Sequence, residues 1–125
     1  MAGAAAGDLV SALDAEARVR RLLAGARRLS EPADPLGARL RARLLEPTGL
    51  SPEGIELALR LTLELDPTPE EVRALCASTA PAARAHVILP SNVFVAAHRA
   101  IALALACSSD VRVKPERNSR LASFL

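Results

Sequence analysis

The chain has 125 residues, half of them hydrophobic, and a formal net charge of +2. That length suits one modest domain; the net charge implies no particular partner, and no charged block is dense enough for a nucleic-acid tail. The N-terminus, Met-Ala-Gly-Ala-Ala-Ala-Gly, lacks the basic start and long apolar core of a signal peptide. The longest apolar run, 100–107, is far short of the roughly 20 residues a membrane span needs. A cytoplasmic protein with no membrane span is therefore expected.

Phe94 and Phe124 are the only aromatics, so Ala, Leu and Val must fill any core. Lys114 stands alone among 15 arginines, a skew that fits a GC-rich genome and singles out the one lysine. Charge is unevenly spread: +3 over 1–43, −5 over 44–80 and +4 over 81–125. Such segments can pack through complementary surfaces.

Taken in order, residues 1–7 are small and expected to fray. Asp8 can cap a helix running to about Leu29, with leucines on one side and arginines gathered in its C-terminal half, where the helix dipole favours them. Asp34-Pro35 gives a cap followed by proline at the first helical position, opening a second helix to about Leu45 that Pro47 and Gly49 end. Ser51-Pro52-Glu53 repeats the signal for a third helix to about Leu65. Its polar residues Glu53, Glu56, Arg60 and Glu64 form one stripe, Glu56–Arg60 and Arg60–Glu64 are spaced as i,i+4 pairs, and the remaining apolar surface predicts a mostly buried helix. Thr68-Pro69-Glu70-Glu71 is a capping box that opens a fourth helix to about Ala77. Residues 78–84 read as a linker, which divides the chain into a helical region, 1–80, and a second region, 81–125.

That second region carries the strongest organisation. Residues 85–89 are a short apolar run ending in Pro90-Ser91-Asn92, residues 93–107 an alanine-rich buried helix, and residues 111–113 a second strand closed by Lys114-Pro115. Strand, crossover helix and strand within about 30 residues is the spacing of a βαβ unit. The fold class is therefore α/β: a helical N-terminal segment followed by the first βαβ unit of a Rossmann-like parallel sheet. Two strands do not complete such a sheet, and Ser119 reads as the cap of a further helix, so the chain is expected to be the front part of something longer.

Ligands of such sheets sit beyond the carboxyl ends of the strands, which puts Pro90-Ser91-Asn92 and Lys114-Pro115-Glu116-Arg117 at the candidate site. Asn92 is of the type that caps helices, and its amide could equally donate to a developing oxyanion. Lys114 and Arg117 are either solvated cations or contacts to a phosphate or ribose. His86 and His98 are too isolated for a metal site or a triad, and no metal is expected. Neither GxGxxG, GxxxxGK[ST] nor GxSxG occurs. The helical arginines lack an aromatic or recognition-helix context, so no nucleic-acid partner is expected. Cys76 and Cys107 form no metal or redox spacing and read as small buried hydrophobes.

The run HVILPSNVFVAAHRAIALALACSSDVRVKP resembles the start of the cofactor-binding domain in the aldehyde dehydrogenase superfamily, where a strand leads to a Pro-x-Asn turn, an Ala/Leu-rich helix and a strand ending in Lys-Pro. It is most similar to the acyl-CoA reductase branch, the fatty acyl-CoA reductases of bacterial luminescence systems, over about residues 85–117. The resemblance implies an oxidoreductase that reduces an acyl thioester to an aldehyde. It implies that the Asn92 amide helps bind the oxyanion and that Lys114 contacts the adenosine ribose of a nicotinamide cofactor, with Pro90, Ser91 and Arg117 completing the cofactor-binding set. NAD-using relatives often carry a glutamate where Arg117 stands. A cation there suits a 2′-phosphate, which favours NADPH; Glu116, one place earlier, keeps NADH open. The family's nucleophilic cysteine lies farther downstream and Cys107 does not match it, so these 125 residues are expected to be an inactive fragment of a parent that binds acyl-CoA and cofactor, able to self-associate through strand edges. The rival expectation is a stand-alone, non-catalytic helical interaction protein.

Overall fold

The computed structural model describes residues 2–89 and 97–115. Among the described residues the chain is mixed helix and strand, in the order α1 (Ala2–Ser30), α2 (Pro35–Thr48), α3 (Pro52–Thr62), α4 (Pro69–Ala77), β1 (Ala85–Ile88), α5 (Ala97–Cys107) and β2 (Val111–Lys114). The strands pair in parallel, with Ala85 opposite Val111 and Ile88 opposite Lys114. This is an α/β arrangement of five helices and a two-stranded sheet.

The helix starts follow the local chemistry. Asp34 Oδ1 accepts from the Leu36 amide at 2.8 Å, and Ser51 Oγ accepts from the Gly54 amide at 3.1 Å. The Thr68 capping box is complete: its hydroxyl accepts from the Glu71 amide, and the Glu71 carboxylate accepts from the Thr68 amide at 2.7 Å. Gly49 ends α2 at φ 66°, a left-handed conformation that costs glycine least.

Three expectations need correction. First, α1 starts at Ala2 rather than at Asp8, because the alanine-rich lead has the highest helix propensity and continues the helix. Second, α3 stops at Thr62. Leu63 turns to extended backbone and packs against Leu44, Ile55 and Leu59, and Asp66, before Pro67, is biased away from the helical region. Third, the apolar helices are not buried all round. In α3, Ile55 and Leu59 are buried, while Leu57 is 52% and Leu61 70% exposed. In α5, Ala102, Ala104 and Ala106 are buried, whereas Arg99 and Ala100 face solvent.

Two clusters hold the fold. Val19 and Leu23 of α1, Val72 of α4 and Ala106 of α5 form one, with Leu75 and Cys76 against it. Leu44 of α2 with Ile55 and Leu59 of α3 form the other. The first joins the N-terminal helices directly to the crossover helix. Burying the valine, leucine and isoleucine side chains among them contributes about 1.5–3 kcal/mol each.

The uneven charge is resolved as the composition leads one to expect. The acidic middle segment is gripped from both sides: Asp66 by Arg27 at 3.1 Å, Glu56 by Arg41, and Glu64 by Arg99 at 2.6 Å. The i,i+4 pairs of Arg60 with Glu56 and Glu64 do not form among the described residues. Distant arginines take both carboxylates instead: Arg41 forks Glu56 with Nε and Nη2, a contact stronger than an exposed i,i+4 pair, and Arg99 reaches both Glu64 oxygens with Nη2.

Candidate functional site at the carboxyl end of the sheet

The βαβ unit is built so that its two ends differ. At the amino end, Arg84 Nε donates to Asp110 Oδ2 at 2.6 Å and Arg112 Nε to Asp110 Oδ1 at 2.9 Å. These two guanidinium groups hold the Asp110 carboxyl below the usual carboxylate range, against a smaller opposing effect of burial. Ser108, 3% exposed, donates to the Ala83 carbonyl and accepts from the Asp110 amide at 3.0 Å. The Ala85 amide donates to the Asp110 carbonyl at 3.0 Å. The amino ends of both strands are thus tied to each other and to the end of α5.

The carboxyl end carries different chemistry. The Leu89 amide donates to the Lys114 carbonyl at 3.0 Å, which extends the pairing one residue past β1. Strand alternation turns Val87 inward, where it is buried, and leaves His86, Ile88, Arg112 and Lys114 exposed. The Lys114 side chain is exposed and makes no ion pair among the described residues. Of the five expected site residues, Lys114 is the one described. Pro90, Ser91, Asn92 and Arg117 lie outside the described residues, as do Val93–Ala96 of the expected helix start.

α5 is held in place by contacts the sequence reading did not predict. Arg18 of α1 reaches its C-terminal carbonyls, with Nε donating to Leu105 O at 2.6 Å and Nη2 to Ala106 O at 3.4 Å. A cation there is favoured by the helix dipole and satisfies carbonyls that have no partner within the helix. At the other end, His98 Nε2 lies 3.1 Å from the Glu64 carbonyl, and since a carbonyl only accepts, Nε2 donates. Arg99 Nη2 donates to both oxygens of the Glu64 carboxylate, at 2.6 and 2.8 Å, on the exposed side of the crossover helix. That contact holds the Glu64 carboxyl below its usual range, burial opposing. Nothing in the spacing of Arg18 or Glu64 announces these roles; both depend on helix packing.

Cys76 and Cys107 are both free and half-buried. Burial, with the charge of Glu16 adding to it, pushes the Cys76 thiol up, and Arg18 and Arg20 offset this only in part. A raised thiol is a poor nucleophile at neutral pH. Among the described residues no group of three or more His, Cys, Asp or Glu side chains could hold a metal ion, and no helix is long and apolar enough to cross a membrane.

No protein-family model, curated protein or solved structure matches this chain.

Proposed function

We propose that this chain is the N-terminal part of an NADPH-dependent acyl-CoA reductase of the aldehyde dehydrogenase superfamily, contributing a helical segment and the first βαβ unit of a Rossmann-like cofactor-binding domain. One observation carries the reading. The parallel register sets Ile88 opposite Lys114, and Leu89 hydrogen-bonds the Lys114 carbonyl. The turn sequence that follows Leu89 and the lone lysine therefore depart from the same end of the sheet, where such sheets take their ligands.

An exposed ammonium with no ion-pair partner among the described residues suits the ribose and phosphate oxygens of a dinucleotide's adenosine end. On this reading Lys114, with Arg117, Pro90 and Ser91, holds that end, and the Asn92 amide donates to the oxygen that becomes negative when the acyl thioester carbonyl is attacked. NADPH supplies the hydride that takes the acyl group to an aldehyde, with CoA as the leaving thiol. The amino end of the sheet, closed by Arg84, Asp110 and Arg112, keeps the strands in register for that purpose.

The test is an assay of the gene product purified from its native cells. Acyl-CoA-dependent oxidation of NADPH with release of aldehyde and free thiol supports the reading. A homogeneous, folded product that oxidises neither NADPH nor NADH with any acyl-CoA refutes it.

A further inference from the structure

The outer face of α3 has no function in the fold described above. Its helical spacing lines up Glu53, Leu57, Arg60 and Leu61 on the side opposite Ile55 and Leu59. All four are exposed, Leu57 by 52% and Leu61 by 70%. Leu50 extends the ridge at 41% exposure, since its Cβ lies 3.6 Å from where a Gly54 Cβ would stand.

Two further features separate this face from scattered surface leucines. Neither Glu53 nor Arg60 makes an ion pair among the described residues, although the other α3 carboxylate, Glu56, is gripped by Arg41. Gly54 is also unexplained by the chain's own packing. A Cβ there would meet only Ser51 Oγ at 3.5 Å and Leu50 at 3.6 Å, ordinary contact distances, while glycine costs a helix about 1 kcal/mol against alanine.

We infer that this face of α3 is a two-fold interface between copies of this chain, with α3 packed antiparallel on the partner's α3. Glu53 and Arg60 lie seven residues apart on one face. A two-fold axis passing between them sets Arg60 opposite the partner's Glu53 and Glu53 opposite the partner's Arg60, which gives each an ion-pair partner. The same axis brings Leu57 against the partner's Leu57 and sets Leu61 over the partner's Pro52, next to Gly54, which has no side chain to hold it off. An isologous contact must be self-complementary in this way, and the helix carries an acid one turn before Leu57 and a base one turn after it. A different partner would have to supply the same charge pattern in reverse; a second copy does so by symmetry.

Sedimentation equilibrium of the 125-residue chain tests this over about 1 to 500 μM, the range in which so small an interface should associate. The weight-average mass is expected to rise from 13.1 kDa toward twice that value. Leu57→Ser with Leu61→Ser should hold it at the monomer, with unchanged helical circular dichroism because both side chains are exposed. Glu53→Arg alone places like charges opposite each other and should weaken association at least about tenfold. Glu53→Arg with Arg60→Glu should restore it. A wild-type chain that stays monomeric throughout overturns the inference. So does association that survives the leucine changes, association lost on Ile88→Lys but not on Glu53→Arg, or a double reversal that fails to restore what the single one removed.

Discussion

Arg41 grips the Glu56 carboxylate with both Nε and Nη2 across the α2–α3 joint, and its remaining N–H groups close three backbone carbonyls: Leu29 at 3.1 Å, Ser30 at 2.6 Å and Gly37 at 3.0 Å. One guanidinium thus ties the end of α1, the start of α2 and the middle of α3. Arg41→Ala should lower stability by about 2 kcal/mol, because it strands these carbonyls and an acid at once. Arg41→Lys should recover little of that, since a lysine has three donors and no planar fork. Urea titration of the three proteins measures it, and full rescue by lysine would show that charge alone matters.

Two glycines should answer oppositely to alanine. At Gly37, in α2, a Cβ would stand 2.0 Å from the Glu31 carbonyl oxygen, a backbone atom that cannot swing aside. Gly37→Ala should therefore destabilise the chain in spite of alanine's better helix propensity. Gly25, exposed within α1, has nothing within 4 Å of its missing Cβ. Gly25→Ala should raise stability by about 0.5–1 kcal/mol. Thermal melts of both variants compare the effects directly.

Acid should loosen the fold through a defined set of carboxylates. Arg28 and the Leu36 amide lower the Asp34 pKa, Arg41 lowers that of Glu56, Arg99 that of Glu64, and Arg84 with Arg112 that of Asp110. An acid whose folded pKa is depressed contributes stability that is fully present above its unfolded value, about 4, and lost as pH falls through the folded value. The melting temperature should accordingly be flat with respect to these groups from pH 7 to about 5 and fall below about 4. Glu64→Gln should shrink that fall, and an acid limb unchanged by it would remove Glu64 from the set. Glu64 is exposed and the other three are half-buried at the surface, so salt should flatten the same limb.

Much of the fold was legible because its signals are local. Asp34, Ser51 and Thr68 each cap a helix with proline next to it, and each cap is made where the spacing puts it. The two strands and the helix between them were equally plain from runs of Val, Ile and Ala. What did not follow depends on which surfaces meet. α3 is apolar on several sides, and no local rule says that the Ile55–Leu59 row finds Leu44 while the Leu57–Leu61 row finds nothing in its own chain. Glu56 and Glu64 sit at good helical spacing from Arg60, but folding brings Arg41 and Arg99 to them with better geometry. At the candidate site, Lys114 stands at the expected strand end; the expectations for Pro90, Ser91, Asn92 and Arg117 rest on the strand-end rule and on the resemblance.

Asn92 separates capping from chemistry. In the gene product purified from its native cells, Asn92→Ala should lower turnover roughly 100-fold or more with little loss of cofactor affinity, as when an oxyanion-hole donor is removed. Unchanged turnover with a lowered melting temperature would return Asn92 to a helix cap.

The most direct measurement is a titration of that gene product with NADPH, followed through the cofactor's own fluorescence, for the wild type and for Lys114→Ala. The account predicts saturable binding that the substitution weakens about tenfold, the loss of one charge-assisted hydrogen bond, with an unchanged melting temperature because the side chain is exposed and makes no ion pair among the described residues. Absence of NADPH binding by the wild type, or equal affinity in the two proteins, would contradict it.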